Sequence, residues 1–399
     1  MSRGRIIVGG ALANKHRHGG EAWVRLSWVL GFLALGWDVH FIEQIASETC
    51  VDANGIAASF AESANLAHFR KVIAEFGIAD RATLVCDDGA EIFGAEKSAL
   101  AGIASGADLL VNISGHLTFP SVFERVKRRA YVDIDPGFTQ FWHAAGNKGA
   151  RLDGHDCFFT IGANIGAPDC PIPTCGIEWR KTRPPVLLDQ WPCADAGAFD
   201  RFTTVASWRG AFGPVQFGGT TFGQKVHEFR KFIGLPRRTG RHFAIALDIH
   251  PAEEKDIAAL RENGWRLDDP QRAAGTPSAF REYILHSSAE FSVAQEIYAQ
   301  TNSGWFSDRT AHYLASGRPA LVQETGFSRH ISCGEGLLAF RTLDDAIAGA
   351  AAIAGDFPKH RRAARALAEE FFDSRKVLCQ FLDESVTQPI PATPHHSRS

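Results

Sequence analysis

The sequence predicts an α/β protein built from two Rossmann-like, doubly wound domains that face a cleft. Three observations carry this reading: the chain length, a strand–helix–strand alternation that begins at Arg5 and restarts after Asp200, and a proline-crowded stretch between the two runs. At 399 residues the chain exceeds one ordinary hydrophobic core and suits two domains of similar size. Pro168, Pro171, Pro173, Pro184, Pro185 and Pro192 fix φ and remove donors, so they mark connection rather than sheet interior. The boundary is expected near Trp191 to Asp200. This gives an N-terminal domain over residues 1–190, a C-terminal domain over 191–384, and a polar, Pro-rich tail over 385–399 expected to be disordered.

The elements follow in order. Arg5-Ile6-Ile7-Val8 reads as a buried strand, Gly9 to Gly20 as a polar loop, and Glu21 to Leu35 as a helix with Trp23, Leu26, Leu30 and Leu33 at near-helical spacing. Gly36 is the expected stop, and Val39 to Ile42 is the next strand. A βαβ unit implies a parallel sheet. Further strands are predicted at Leu109–Ile113, Tyr131–Ile134 and Phe158–Ile161, with helices at Ala61–Phe76 and Phe119–Arg129. In the second half, strands are predicted at Phe202–Ala206, Phe243–Leu247, Phe291–Val293, Ala320–Val322 and Leu337–Phe340. Helices are predicted at Pro251–Asn263, Asp344–Ala354 and Lys359–Phe372.

Composition narrows the function classes. Hydrophobic residues at 45% and charged residues at 22% describe a globular chain. A net charge of -3 argues against a nucleic-acid partner, and no apolar run approaches the ~20 residues a membrane span requires. Ile6 to Ala13 is too short and Gly-rich for a signal peptide and reads as a first strand with its loop. Eight cysteines without a Cys-x-x-Cys pair suggest reduced, buried thiols in a cytoplasmic protein; metal binding at Cys170 and Cys175 is the alternative. Oligomeric state is not legible.

Ligands of open α/β sheets bind beyond the carboxyl ends of strands, so the loops there are the candidate sites. In the first loop, Gly19 and Gly20 precede a helix, where the lack of a Cβ lets a ligand approach backbone amides. Gly9-Gly10-Ala11 fails the Gly-x-Gly-x-x-Gly dinucleotide fingerprint at its second glycine, although Glu43 mimics the ribose-binding acid that accompanies it. His18 is a candidate general base, because imidazole titrates near neutrality; the alternative is an anion-attracting rim of Lys15, His16, Arg17 and His18. Asp133 and Asp135 share a strand face, and Pro136 puts Asp135 at the strand's carboxyl edge, where it could take an acceptor's proton or cap a turn. His116, in Ser114-Gly115-His116, also follows a strand.

In the second half, Ser207-Trp208-Arg209-Gly210 follows a strand and leads through a Gly-rich loop to Lys225, which a salt bridge to Glu228 could also occupy. Ser303-Gly304-Trp305-Phe306-Ser307-Asp308-Arg309-Thr310 opens a short helix that Gly317 closes. Ser307 suits the N-cap, Asp308 the first turn, and Arg309 a phosphate held at the helix start. Trp208 and Trp305 could stack on a base or sugar, or fill cores.

This last segment resembles the donor-nucleotide motif of GT-B glycosyltransferases, whose two Rossmann-like lobes flank a cleft. Gly304-Trp305-x-Ser307 is similar to the Gly-Trp-Asn-Ser of plant UDP-sugar transferases, and Gly317-Arg318-Pro319 to their Gly-Val-Pro. Phe306 replaces the asparagine, and the spacing between the two marks is longer. Gly304 and His312 stand where retaining members carry two glutamates, so stereochemistry is open. The resemblance implies a metal-independent hexosyltransferase. It implies donor contacts from Gly304, Trp305, Ser307, Asp308 and Arg309, a diphosphate clamp of Arg209 and Lys225, and sugar-hydroxyl contacts from Glu324, Thr325 and Gly326. Gly19, Gly20 and His116 would face acceptor and phosphates, and no cofactor is implied beyond the donor. A non-catalytic sugar- or nucleotide-binding protein, a sugar-nucleotide epimerase and, less favoured by its glycine spacing, a nicotinamide oxidoreductase are the alternatives.

Overall fold

The computed structural model describes residues 3–193 and 197–386. Two sheets dominate it. The first contains β1 (Arg5–Gly9), β2 (Asp38–Ile45), β3 (Ala82–Cys86), β4 (Glu91–Phe93), β5 (Leu109–Ile113), β6 (Arg129–Asp133), β7 (Cys157–Thr160) and β8 (Trp179–Lys181). Their order is β4-β3-β2-β1-β5-β6-β7-β8, parallel except at β4, which runs antiparallel to β3. Ile6, Ile7 and Val8 are fully buried because β1 lies mid-sheet between β2 and β5, covered on both faces.

The second sheet contains β9 (Arg201–Ser207), β12 (His242–Asp248), β13 (Trp265–Asp268), β14 (Ala289–Ser292), β15 (Ala320–Gln323) and β16 (Leu337–Phe340). All of these are parallel, in the order β13-β12-β9-β14-β15-β16. Between β9 and β12 lies a separate hairpin of β10 (Val215–Phe217) and β11 (Thr220–Phe222). That hairpin reaches across to the first lobe: Phe217 and Phe222 pack on Phe141, and Phe212 packs on Phe138 and Trp142. A parallel sheet presents all its carboxyl ends on one edge, so each lobe offers one loop-bearing edge to the gap.

The chain crosses between lobes twice, at 182–200 and again after Phe372. The two crossings lie side by side: Val186 N–H donates to the Phe372 carbonyl (2.8 Å), and Ser374 N–H donates to the Val186 carbonyl (2.9 Å). The final helix, Ser374–Val386, then packs on the first-lobe helix Gly19–Ala34. Phe381 meets Trp28 at 5.0 Å and Phe159 at 4.3 Å between ring centroids. The stretch 374–384 therefore packs with the first lobe, although sequence order places it in the C-terminal domain. The helix also carries Ser385 and Val386, so the expected disordered tail starts later than residue 385; the rest of that tail lies outside the described residues.

The helix expected over Phe119–Arg129 is only one turn, Pro120–Phe123, and Arg129 already begins β6. Pro120 can open a helix, but Lys127-Arg128-Arg129 offers no apolar face to sustain one. None of the eight cysteines forms a disulfide; Cys50, Cys86, Cys157 and Cys170 are buried, whereas Cys175, Cys193, Cys333 and Cys379 are exposed, against the expectation of uniformly buried thiols. Among the described residues no helix is long and apolar enough to cross a membrane, and no cluster of three or more His, Cys, Asp or Glu could hold a metal ion.

Candidate active site between the lobes

Two connected chambers of about 240 and 420 Å³ open between the facing edges. They share Glu21 from the first lobe and Ser207, Gly210, Ala211, Lys225, Ser307, Asp308 and Arg309 from the second.

Lys225 starts a short helix on the far side of the β10–β11 loop and reaches the floor of both chambers. Its ammonium has no hydrogen bond or ion pair among the described residues. The salt bridge to Glu228 does not form, because Glu228 is held by Lys231 (2.6 Å) and by the Gln323 amide (2.7 Å). Burial, reinforced by the nearby Arg309 and opposed by Glu290, lowers Lys225 from 10.5 to about 7.

Arg309 also lines both chambers, but its guanidinium is anchored. Nε donates to the buried Glu290 carboxylate (2.6 Å), Nη1 to the Val205 carbonyl (2.9 Å) and Nη2 to Ser292 Oγ (2.6 Å). The second Glu290 oxygen is buried without a partner. Arg309 is thus the pinned half of a cation pair whose other half, Lys225, stands without a counter-ion.

Ser307 occupies the N-cap position of the helix Asp308–Ala315, as expected, but its hydroxyl makes no capping bond. Asp308 projects into the cleft, where burial and the Glu21 charge push its carboxyl up to about 6 against the pull of Arg309. Trp305 lines the cleft with one face stacked on Tyr298 (4.4 Å, 20°), and Gly304 adopts a positive φ of 74° at a turn pressed against Ala163 and Asn164 of the first lobe.

From the first lobe, Asp135 follows β6 and lines the cleft opposite Lys225. It accepts a hydrogen bond from the Tyr298 hydroxyl (3.1 Å), and burial, then Glu21 and Asp133, push it up to about 7. Asp133 has a different role. It is fully buried and accepts from Thr139 Oγ1 (2.7 Å), Gln140 Nε2 (2.8 Å) and Thr160 Oγ1 (2.7 Å), which ties β6 and β7 to the turn after them. His18 is exposed at the cleft mouth, beside Lys15 and Arg17.

Other expected site residues lie elsewhere. Arg209 does not line the cleft; it pairs with Glu253 and donates to Gln224 Oε1 (3.2 Å). Glu324 is buried and accepts from the Gly326 N–H (2.6 Å), while Thr325 Oγ1 donates to the Trp305 carbonyl (2.5 Å) and the Thr325 carbonyl accepts from Gly304. Glu324, Thr325 and Gly326 therefore brace the Gly304 turn and line neither chamber. His116 is half-buried outside the cleft lining, and burial with Arg25, Arg151 and Lys15 nearby lowers it to about 3. Trp208 fills the second core and donates to Asp256 (2.9 Å).

Gly19 serves the other lobe, whereas Gly20 lines the larger chamber while also packing on that lobe. A Cβ on Gly19 would collide with the Thr276 carbonyl, and one on Gly20 would press on Phe280 at 3.1 Å. Trp23 Nε1 donates to the Pro277 carbonyl (2.9 Å), so the missing side chains let the first-lobe helix dock on the second lobe. Glu43 likewise is no ribose ligand. It accepts the backbone N–H groups of Leu12 (2.8 Å), Ala13 (2.7 Å) and Asn14 (2.8 Å), filling the amide nest that a dinucleotide phosphate would need.

Sequence reasoning missed Glu21, Arg25, Gln295 and Tyr298. Burial favours a neutral Glu21, but Arg25 and Lys15 outweigh it and hold the carboxyl at about 2. An acid at the third residue of a helix, with an arginine four residues on, was the available signal. Gln295 Oε1 is buried in the cleft wall without a partner, an acceptor waiting for a donor.

No protein-family model and no curated protein sequence matches the chain. Solved structures do. An α-glucosyltransferase in complex with UDP-glucose and DNA superposes at a TM-score of 0.60, with 12% identity, over 96% of this chain and 100% of that one. The fold is that of the GT-B glycosyltransferases. Sucrose-phosphate synthase from Thermosynechococcus elongatus (TM-score 0.56, 12% identity, 96% and 98% covered) has it too. So does the pneumococcal O-GlcNAc transferase GtfA in complex with UDP and GlcNAc (0.51, 11%, 96% and 99%). One expectation is overturned here. The exclusion of nucleic acid rested on net charge, yet α-glucosyltransferases of this fold were solved with DNA. Net charge is a sum over the whole chain and carries no information about local fields.

Proposed function

We propose that the cleft binds a nucleoside diphosphate sugar and transfers its sugar to an acceptor hydroxyl. The observation that carries this is Lys225: an unpartnered cation, half-buried beside Arg309, where two parallel sheets present their carboxyl edges. A diphosphate placed there meets Lys225 directly and the remaining N–H groups of Arg309, which Glu290 and Ser292 hold in orientation.

In this reading the acceptor oxygen forms a bond to the anomeric carbon as the carbon–phosphate-oxygen bond breaks. The electron pair leaves with the diphosphate and is stabilised by Lys225 and Arg309. The acceptor's proton passes to Asp135, whose raised pKa suits a base working near neutrality. Tyr298 orients that carboxylate. His18, at the mouth, is placed to guide substrates and is the second candidate base. Protein cations supply the charge that a metal would otherwise provide, so no metal and no cofactor besides the donor is required.

Calorimetric titration with UDP, GDP and TDP tests the donor site, and release of the nucleoside diphosphate from the matching sugar donor tests transfer. Binding without turnover would favour a non-catalytic binding protein. That reading draws on Arg209 lying outside the cleft, which leaves Lys225 and Arg309 without the second basic clamp residue expected from the strand end. Stabilisation by NAD alone would reverse the assignment.

A further inference from the structure

Beside the cleft, at the point where the chain crosses between lobes, lies a further cavity of about 130 Å³ that shares Ile161, Arg183 and Pro184 with the smaller chamber. That is roughly ten times the space one water requires. Its walls come from the first-lobe edge and linker (Lys181 to Pro184), the Gly304–Phe306 turn, the Phe327–Ile331 segment and the returning C-terminal helix. Its ionisable lining is basic: Lys181, Arg183 and the imidazole of His330, which burial and the nearby Arg183, Arg329 and Lys181 hold below its ordinary pKa; no carboxylate faces it.

The charges are not balanced from within. The Arg183 guanidinium has no hydrogen bond or ion pair among the described residues; it lies 5.3 Å from the centre of the Phe371 ring, and Glu370 attracts it only at longer range. Lys181 Nζ gives one N–H to the Ile165 carbonyl (2.5 Å) and keeps two. The acid that acts on Lys181, Asp133, is itself held by Thr139, Gln140 and Thr160. His330 Nε2 faces Asn164 Oδ1 at 2.7 Å, and the Asn164 amide nitrogen already donates to the Asn302 and Gly326 carbonyls. The Nε2 atom is therefore the donor, and Nδ1 is left able to take a proton when an anion arrives. The half-buried Lys181 and Arg183 are costly to hold charged unless a counter-ion joins them.

We propose that this junction cavity is an anion site adjoining the donor cleft, taking a phosphate group on Lys181, Arg183 and His330, with Arg183 on the wall between the two. The phosphate may be free or carried on a small organic molecule. The site goes beyond the transferase reading and does not depend on it. An occupant touches both lobes, the linker and the C-terminal helix at once.

The test uses the full chain with Lys225→Met, which weakens the cleft as a phosphate site, titrated with inorganic phosphate by calorimetry. One equivalent is expected to bind. Arg183→Gln or Lys181→Gln added to that background should weaken it about tenfold or more, whereas Arg183→Lys, which keeps the charge, should stay within about threefold. A crystal soaked in tungstate should show its anomalous peak between Lys181 and Arg183. Tighter binding of glucose 6-phosphate than of inorganic phosphate would support a phosphate carried on an organic molecule, and equal binding a free ion. Absence of phosphate binding in Lys225→Met, or binding indifferent to Lys181→Gln, whose side chain lies outside the cleft lining, overturns the site. Either result leaves nucleotide binding by the unmodified cleft to be judged separately.

Discussion

Lys225→Met should make the protein more stable and worse at binding nucleotide, and both magnitudes follow from one side chain. An ammonium whose pKa falls from 10.5 in the open chain to about 7 in the fold is held where its charge is unwelcome. At about 1.4 kcal/mol per tenfold, this destabilises the unliganded protein by on the order of 4 kcal/mol at neutral pH. The sign follows from proton counting. Between about 7 and 10.5 the unfolded chain binds more protons at this position than the native one, so native stability rises with pH across that window. Below about 7 the penalty is fully present.

Methionine removes the penalty, so at pH 7 the melting temperature of the variant should rise by several degrees. A bound diphosphate pulls the Lys225 pKa back up and recovers part of the same energy. Hence nucleotide affinity should fall by about a hundredfold in Lys225→Met, roughly 2.7 kcal/mol. In the unmodified protein, binding near pH 8 should take up close to one proton, read as the dependence of the calorimetric enthalpy on buffer ionisation enthalpy. A variant that melts at or below the unmodified protein, or that binds nucleoside diphosphate unchanged, refutes the reasoning.

Asp135→Asn should preserve nucleotide binding and lower kcat by at least about a hundredfold. In the unmodified enzyme kcat/KM should rise with pH through about 7, the value at which Asp135 loses its proton in the unliganded protein, and the variant should lose that limb. His18→Ala should cost less than about tenfold if Asp135 is the base; loss of turnover with binding intact would move the role to His18. Arg309→Ala leaves Glu290 buried without its ion pair and should destabilise by about 3–5 kcal/mol, measured by urea unfolding, besides abolishing nucleotide binding. Gly19→Ala should destabilise by about 1–3 kcal/mol through collision with the Thr276 carbonyl, with a larger radius of gyration in X-ray scattering as the lobes part. Added EDTA should leave turnover unchanged.

Local patterns carried the fold. Arg5–Val8, Leu109–Ile113, Ala320–Val322 and Leu337–Phe340 are short apolar runs that can only be buried strands, and the helices between them made the sheets parallel. Strand ends then indicated where chemistry could sit, which is why Asp135, Lys225, Trp305, Ser307, Asp308 and Arg309 were legible in the sequence and line the cleft. Strands such as Trp179–Lys181 and Trp265–Asp268 were not legible, because three or four residues carry too little alternation to stand out.

Which way a loop side chain turns depends on partners distant in sequence. Arg209 swings to Glu253, Glu324 turns back on Gly326, Glu43 fills the first loop's amides, and Arg309 finds Glu290 beneath it. Gly19 looked like a ligand contact because a glycine before a helix shows only that something approaches closely. The tertiary structure decided that the visitor was the other lobe. The return of Ser374–Val386 to the first lobe has the same origin: its apolar face is visible in the sequence, but the surface that covers it is made by Trp28, Gly31 and Phe159, more than two hundred residues earlier. The sequence thus determined the elements and the edge where ligands gather, since these follow from local periodicity. Only the packed structure decided which charges were paired and which, like Lys225, were left without a partner among the described residues, since pairing is a property of neighbours in space.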